Sequence, residues 1–275
     1  MADLALADRP SSLQAYRTVI RSRLRSQTVY RTSFTLDVLG SVAVALVDFA
    51  EVYVIFHSVP LLGGLDAAAA FLLFGLASLG FALANAVCGQ LDAMPTHVRS
   101  GALEVMLLRP QPLLAQVISN DIVLKRIGGA AVSTVVLGAG LSLTHIDWTP
   151  QRVLLLAVTP VAAAGVFSAL FLTAGAVQFW LIDAAEVTNA FTYGSGYAAR
   201  FSSALLPLPV RLLFAFVVPA AFTAYLPTLA LLGLPGPPGL PAWLGWCGPV
   251  VAITALAAAL TLWRFGVRHY TGAGG

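Results

Sequence analysis

The stretch AAAAFLLFGLASLGFALANAVCGQ, residues 67–90, runs from Ala67 to Gln90 without a formal charge. About 20 consecutive apolar residues are what a helix needs to cross a hydrocarbon core roughly 30 Å thick. Asp66 stands just before the stretch, where an aspartate can accept bonds from the unpaired N–H groups of a helix start. The stretch therefore predicts a membrane-spanning helix.

Outward from this span, apolar segments at 33–57, 127–145, 153–182, 185–206 and 242–266 predict five more. The fifth is the most polar, with Thr188, Asn189, Thr192, Tyr193, Ser195, Tyr197 and Arg200. The composition agrees: of 275 residues, 59% are hydrophobic and only 10% charged, against roughly a quarter charged in a soluble domain. So little charge cannot coat a water-facing surface of this size, whereas lipid-facing positions need none. The expected fold is all-α, a polytopic membrane protein of about six transmembrane helices in a single domain, 1–275. Cys88 and Cys247 sit in apolar surroundings and read as small buried residues.

Charge placement sets the orientation. Arg9, Arg17, Arg21, Arg23, Arg25 and Arg31 crowd the N-terminal segment, and Arg99, Arg109, Lys125 and Arg126 follow in 91–126. Arg264 and Arg268 close the chain, while 58–65 has no cation and 146–152 only Arg152. Both termini are expected in the cytoplasm. The N-terminal arginines are too spread, and lack the short apolar core and cleavage site, for a secretory signal.

Three segments depart from simple spans. In 11–31, Arg17, Arg21 and Arg25 share one helix face while Leu13, Tyr16, Ile20 and Leu24 form another, the pattern of a helix lying in the membrane interface. Residues 95–109 (PTHVRSGALEVMLLR) are bounded by Pro95 and Pro110. They are too short and charged to span, and too apolar to stand free in water, so a docked helix is expected. In 207–241, Pro207, Pro209, Pro219, Pro227, Pro235, Pro237, Pro238 and Pro241 interrupt an apolar run. Two short helices dipping into the membrane fit this density better than one span.

The chemistry of the chain excludes several classes. Its single lysine, Lys125, lies in SNDIVLKRI, without the glycine-rich turn and Lys-Ser/Thr pair of a phosphate-binding loop. His57, His97, His145 and His269 are far apart, with no metal-ligand spacing. Asp37, Asp48 and Glu51 fall within about 60° of one face of the first span. An acid at bilayer centre costs on the order of 2.5–3.5 kcal/mol, so these should face protein or a polar cavity. They can pair with an arginine of another helix, contact substrate or couple protons. The polar run Asn189, Thr192, Tyr193, Ser195 and Arg200 can equally bond helix to helix or line a cavity.

At VRSGALEVMLLRPQP (98–112) the chain resembles the permeases of type-2 ATP-binding-cassette exporters. The closer likeness is to a subgroup whose cytoplasmic loop reads approximately Ile-Arg-Ser-Gly-Glu-Leu-Asp-x-x-Leu-Leu-Arg-Pro. Arg99, Ser100, Gly101, Leu107, Leu108, Arg109 and Pro110 match, Ala102 replaces the usual acid, and Leu103-Glu104 keeps the Leu-acid pair. The segment LPLPVRLLFAFVVPAAFTAYLPTLALLG (206–233) is similar to that family's proline-punctuated stretch. The ending WRFGVRHYTGAGG is similar to its Arg-x-Tyr-x-Ser-x-Gly terminus, with Gly272 at the Ser position.

The resemblance implies an N-terminal elbow helix at 11–31, a cytoplasmic coupling helix within 95–109 and an outer re-entrant hairpin at 207–234. It implies that Arg99, Gly101, Glu104, Leu107, Arg109 and Pro110 meet a separate ATP-binding-cassette ATPase. That subunit would hold ATP and Mg2+, and this chain would bind no cofactor and no nucleic acid. A second permease, of the same or a different chain, would complete the pore in the lipid bilayer. Asp37, Asp48, Glu51, Asn189, Thr192, Tyr193, Ser195 and Arg200 would then lie on the translocation path or the permease interface. The expected function is that of a non-catalytic permease in the cell membrane. It would export a hydrophobic, lipid-like or drug-like substrate while its partner hydrolyses ATP. A proton-coupled secondary transporter using the acids of the first span is the alternative, although no internal repeat is evident. An intramembrane enzyme would need converging His, Asp or Ser side chains, which the sequence does not suggest.

Overall fold

The computed structural model describes residues 31–119, 124–181 and 185–270, and among them every regular element is helical. In chain order these are α1 (Arg31–Ser58), α2 (Ala67–Cys88), α3 (Met94–Arg99), α4 (Ala102–Leu107), α5 (Leu113–Ser119) and α6 (Leu124–Leu143). They continue as α7 (Pro150–Val177), α8 (Ala185–Ala198), α9 (Leu208–Leu212), α10 (Tyr225–Leu232) and α11 (Gly248–His269). The helix expected at 11–31 lies outside the described residues, apart from Arg31.

Among the described residues, three helical stretches are long and apolar enough to cross a membrane: Ala67–Arg99, Pro150–Val177 and Ala242–His269. They correspond to the second, fourth and sixth expected spans. The first and third expected spans are helical where the sequence places them, as α1 and α6. Gly128–Leu143 within α6 is a shorter apolar helix. The fifth differs. Its helix stops at Ala198, and 14 residues rise only about 21 Å. The end tightens as Arg200 N–H bonds Tyr197 and Phe201 N–H bonds Ala198, both three residues back. Ser202 then turns extended, and its hydroxyl accepts from Ala204 N–H at 3.3 Å. Serines and a nearby proline favour such turns over continued helix.

Helix starts follow the local chemistry. Asp66 accepts from Ala69 N–H at 2.8 Å at the head of α2. Thr149 does the same for Arg152 N–H at 3.3 Å at the head of α7, with Pro150 in the first turn.

The core lies around α2, whose Leu72, Leu73, Leu76 and Ala77 are almost wholly buried. Lipid supplies no hydrophobic drive between helices, so small residues that let backbones approach matter most. A Cβ on Gly75 would stand 2.6 Å from Leu137 Cα, and one on Gly140 2.8 Å from Leu72 Cα. These two glycines make the α2–α6 crossing. Gly80 meets Ala163 of α7 in the same way, and Gly165 of α7 faces Ala252 of α11, where a Cβ would lie 3.0 Å away.

The apolar run within 207–234 is bent. Leu208–Val217 and Ala220–Leu232 form two arms bent by 72°. The first arm ends in a π-helical turn, Leu213–Val217, and Pro219 stands at the bend. Arg211 fastens the base of this structure. Its Nε donates to Ser203 O at 3.1 Å, and its Nη2 donates to Ala204 O and Leu206 O, each at 2.9 Å.

Contacts join distant segments at two places. At one, Ser202 Oγ donates to Gly63 O at 2.8 Å, and Arg152 lies against Gly233. At the other, Met94 of α3 lies against Gly175 of α7, and Tyr270, just past α11, bonds Glu104 of α4.

Candidate functional site

The segment 95–109, expected as one helix, is two. Ser100 N–H closes α3 on Thr96 O at 3.0 Å, and Gly101 N–H bonds Val98 O at 3.2 Å. Gly101 then takes φ +70°, ψ +7°, a left-handed conformation that glycine adopts without steric cost, and α4 restarts in a new direction. Pro95 sits in the first turn of α3, and Pro110 follows the end of α4.

The paired helices have an inner and an outer face. Met94, Val98 and Leu103 are fully buried, and Met106 nearly so. Arg99, Val105, Leu107, Leu108, Arg109 and Pro110 are exposed, Leu108 at 87%. Gly101 and Glu104 are half-buried. Four of the six expected ATPase contacts, Arg99, Leu107, Arg109 and Pro110, thus stand on the outer face, with Val105 and Leu108 added. The inner face is held from behind by Gln116 of α5. Its Nε2 donates to Met106 O and to Gln111 O, each at 2.9 Å. Gln116 carries no sequence signal, because its partners are backbone carbonyls that the fold brings to it.

Glu104 does not point straight outward. Its Oε1 accepts from the Tyr270 hydroxyl at 2.8 Å, just past the end of α11. Two further phenols reach carboxylates in the same manner. Tyr193 of α8 donates to Asp92 Oδ2 at 2.6 Å, and Tyr197 donates to Glu51 Oε1 of α1 at 2.6 Å. For Glu51 the sequence left pairing with an arginine, substrate contact and proton coupling open; in the fold its carboxylate accepts from the Tyr197 hydroxyl. A phenol bonds an ionised carboxylate strongly and brings no second charge to desolvate. Asp37 and Asp48 lie on α1, but their side chains are outside the described residues.

The polar stripe of α8 divides. Thr192 is fully buried and Ser195 almost so, both packed within the chain. Their hydroxyls bond carbonyls of their own helix, Thr192 Oγ1 to Thr188 O at 3.0 Å and Ser195 Oγ to Phe191 O. Asn189 is half-buried. Tyr193 lays its ring near Phe81 and Phe171, with centroids at 5.6 and 6.0 Å. Arg200 sits over the Phe74 ring at 5.3 Å and borders a small pocket lined by Val52, Phe56, Leu65 and Leu205. The outward face of α8 carries Val187, Phe191, Gly194 and Tyr197. Gln178, 2% exposed, ties the start of α8 to the end of α7 by donating to Thr188 Oγ1 at 2.8 Å.

No curated protein and no solved structure matches this chain. A family model described as ABC-2 family transporter protein matches residues 42–274, which takes in every helix from within α1 to the end of α11. The chain therefore belongs to the ABC-2 transporter family, as a multi-pass membrane permease subunit that works with an ATP-binding-cassette partner.

Proposed function

We propose that the chain is the permease of an ATP-driven exporter, moving a hydrophobic, lipid-like or drug-like substrate out of the cytoplasm. The observation that carries this reading is the face of α3–α4. Val105, Leu107 and Leu108 are exposed beside Arg99 and Arg109, on helices whose other side is buried. In water such an apolar face is costly, and a partner ATPase covers it. ATP and Mg2+ belong to that partner, and this chain binds no cofactor. ATP binding would close the ATPases, push the docked helices and bias inward-facing against outward-facing states.

The topology we propose has six crossings: α1, α2, α6, α7, α8 extended through the turns to residue 206, and α11. The Lys/Arg-rich segments support it, and by them the α3–α5 end would be cytoplasmic. Both termini then lie in the cytoplasm of a plasma or inner membrane. The elbow helix would occupy 11–31, the coupling helices 95–109 and the re-entrant hairpin 207–234. A second permease, the same or a different chain, would meet α8 through Val187, Phe191, Gly194 and Tyr197. Thr192 and Ser195 would serve packing, and Glu51 would stand at the border through Tyr197.

The test is assembly. In mild detergent a P-loop ATPase should co-purify with the chain, and its turnover should rise when bound. Leu108→Glu places a charge in the docking face and should lower recovered ATPase about tenfold or more, with membrane insertion unchanged. Full recovery with the glutamate in place would remove α3–α4 as the docking site.

A further inference from the structure

The end of the chain that carries the docking segment also holds an aromatic joint. Phe179, two residues beyond α7, is 7% exposed, and Trp263 of α11 is 4% exposed. Their rings meet edge-on with centroids 5.1 Å apart. Gly266 of α11 admits the close approach, since a Cβ there would stand 2.5 Å from Phe179 Cδ2 and 3.2 Å from Trp180 Cη2. Tyr270 adds its ring to Phe179 at 5.7 Å, also edge-on. The α7 and α11 ends are therefore locked to each other by rings that leave little room to slide.

The same Tyr270 reaches outward from this joint. Its hydroxyl donates to Glu104 Oε1 at 2.8 Å, across 166 positions of chain. Glu104 stands in the first turn of α4, next to the left-handed Gly101 that sets the direction of that helix. One side chain thus touches the α7–α11 joint with its ring and α4 with its hydroxyl. Leu103 and Met106 bury α4 from the same side, but apolar contacts slide more readily than a directional hydrogen bond.

We propose that Tyr270 is a positioning residue that ties α4 to the joined ends of α7 and α11, so that a push on α4 moves both long helices as one body. This rests on α3–α4 being the ATPase-docking segment. Without the hydroxyl, the docked helices would rock against the bundle, and ATP binding would be spent on local motion. Glu104, expected to contact the ATPase, instead transmits that contact inward.

Tyr270→Phe isolates the hydroxyl, because the ring stays on Phe179 and the joint remains packed. Spin labels on cysteines at Ala102, half-buried in the first turn of α4 and outside the docking face, and Arg264, exposed on α11, read the distance between the two bodies. The background carries Cys88→Ala and Cys247→Ala. For the chain alone in lipid nanodiscs, the tyrosine form should give one narrow distance. Loss of one hydrogen bond should raise the fraction at other distances about fivefold in Tyr270→Phe. In the complex trapped with ATP and vanadate, the tyrosine form should keep its distance and the phenylalanine form should not. Identical distributions for the two forms overturn the proposal. So does a tyrosine form whose distance shifts on trapping as much as the variant's. If no ATPase joins the chain, the transport reading fails, while the chain-alone distances still decide whether Tyr270 holds α4 to α11.

Discussion

Three carboxylates, Glu51, Asp92 and Glu104, accept from the phenols of Tyr197, Tyr193 and Tyr270. An ion pair inside a membrane must desolvate two charges, and the cost can exceed the attraction. A tyrosine desolvates only a hydroxyl and buries a large apolar ring. The Glu51–Tyr197 bond bridges α1 and α8, elements separated by 146 positions. Hydrogen bonds between membrane helices average about 0.6 kcal/mol and reach about 1.7. The short, charge-assisted geometry places this one near the upper part of that range. Tyr197→Phe and Glu51→Met should each lower stability by about 1 kcal/mol. The double variant should cost little more than either single one, read as thermal midpoints in a mild detergent. Additive losses would mean that the two side chains act independently.

At the scale of elements, the crossings of α2 are set by glycines. Gly75 lies on Leu137 and Gly140 lies on Leu72, backbone against backbone. Overpacking typically costs about 1–3 kcal/mol even where side chains can yield, and here the obstructing atoms are main chain. Gly75→Val and Gly140→Val should therefore separate α2 from α6 and broaden the protein's elution in size-exclusion chromatography. Gly138→Ala is the control: nothing lies within 4 Å of a Cβ there, and alanine favours helix by about 1 kcal/mol. It should leave the elution unchanged or raise the thermal midpoint. Equal behaviour of the three variants would show that close approach does not hold this pair.

For the whole molecule, the six crossings proposed above predict a labelling pattern. Cysteines at Ser100 and Leu108 should react with a membrane-impermeant maleimide only from the cytoplasmic side. Cysteines at Leu61 and Thr149 should react only from outside. Gly63 is a poorer reporter than Leu61, because it holds φ +58° and lies against Ser202. Reaction of Leu61 and Leu108 from the same side would break the six-crossing topology.

Membrane class, helical character and family were readable from residues because each rests on composition and chain order. A charge-free run such as 67–90 has no stable place but a bilayer or a core, whatever surrounds it. Asp66, Pro95 and Pro110 mark helix ends through the backbone beside them, and Pro219 stands where the two arms of 208–232 bend. Which side of the α3–α4 segment is outward was not readable from residues: the fold leaves Arg99, Leu107 and Arg109 exposed and sets Glu104 half-buried against Tyr270. What needed the folded chain were relations between distant residues. Thr192 and Ser195 could by sequence bond helix to helix or line a cavity, and it is packing that buries both. Tyr270 stood only within the ending WRFGVRHYTGAGG, and it is α11 that carries it to Glu104. A side chain's chemistry is local, but its partner is chosen by which helices touch, and close contacts such as Gly75 on Leu137 and Gly266 on Phe179 fix that choice.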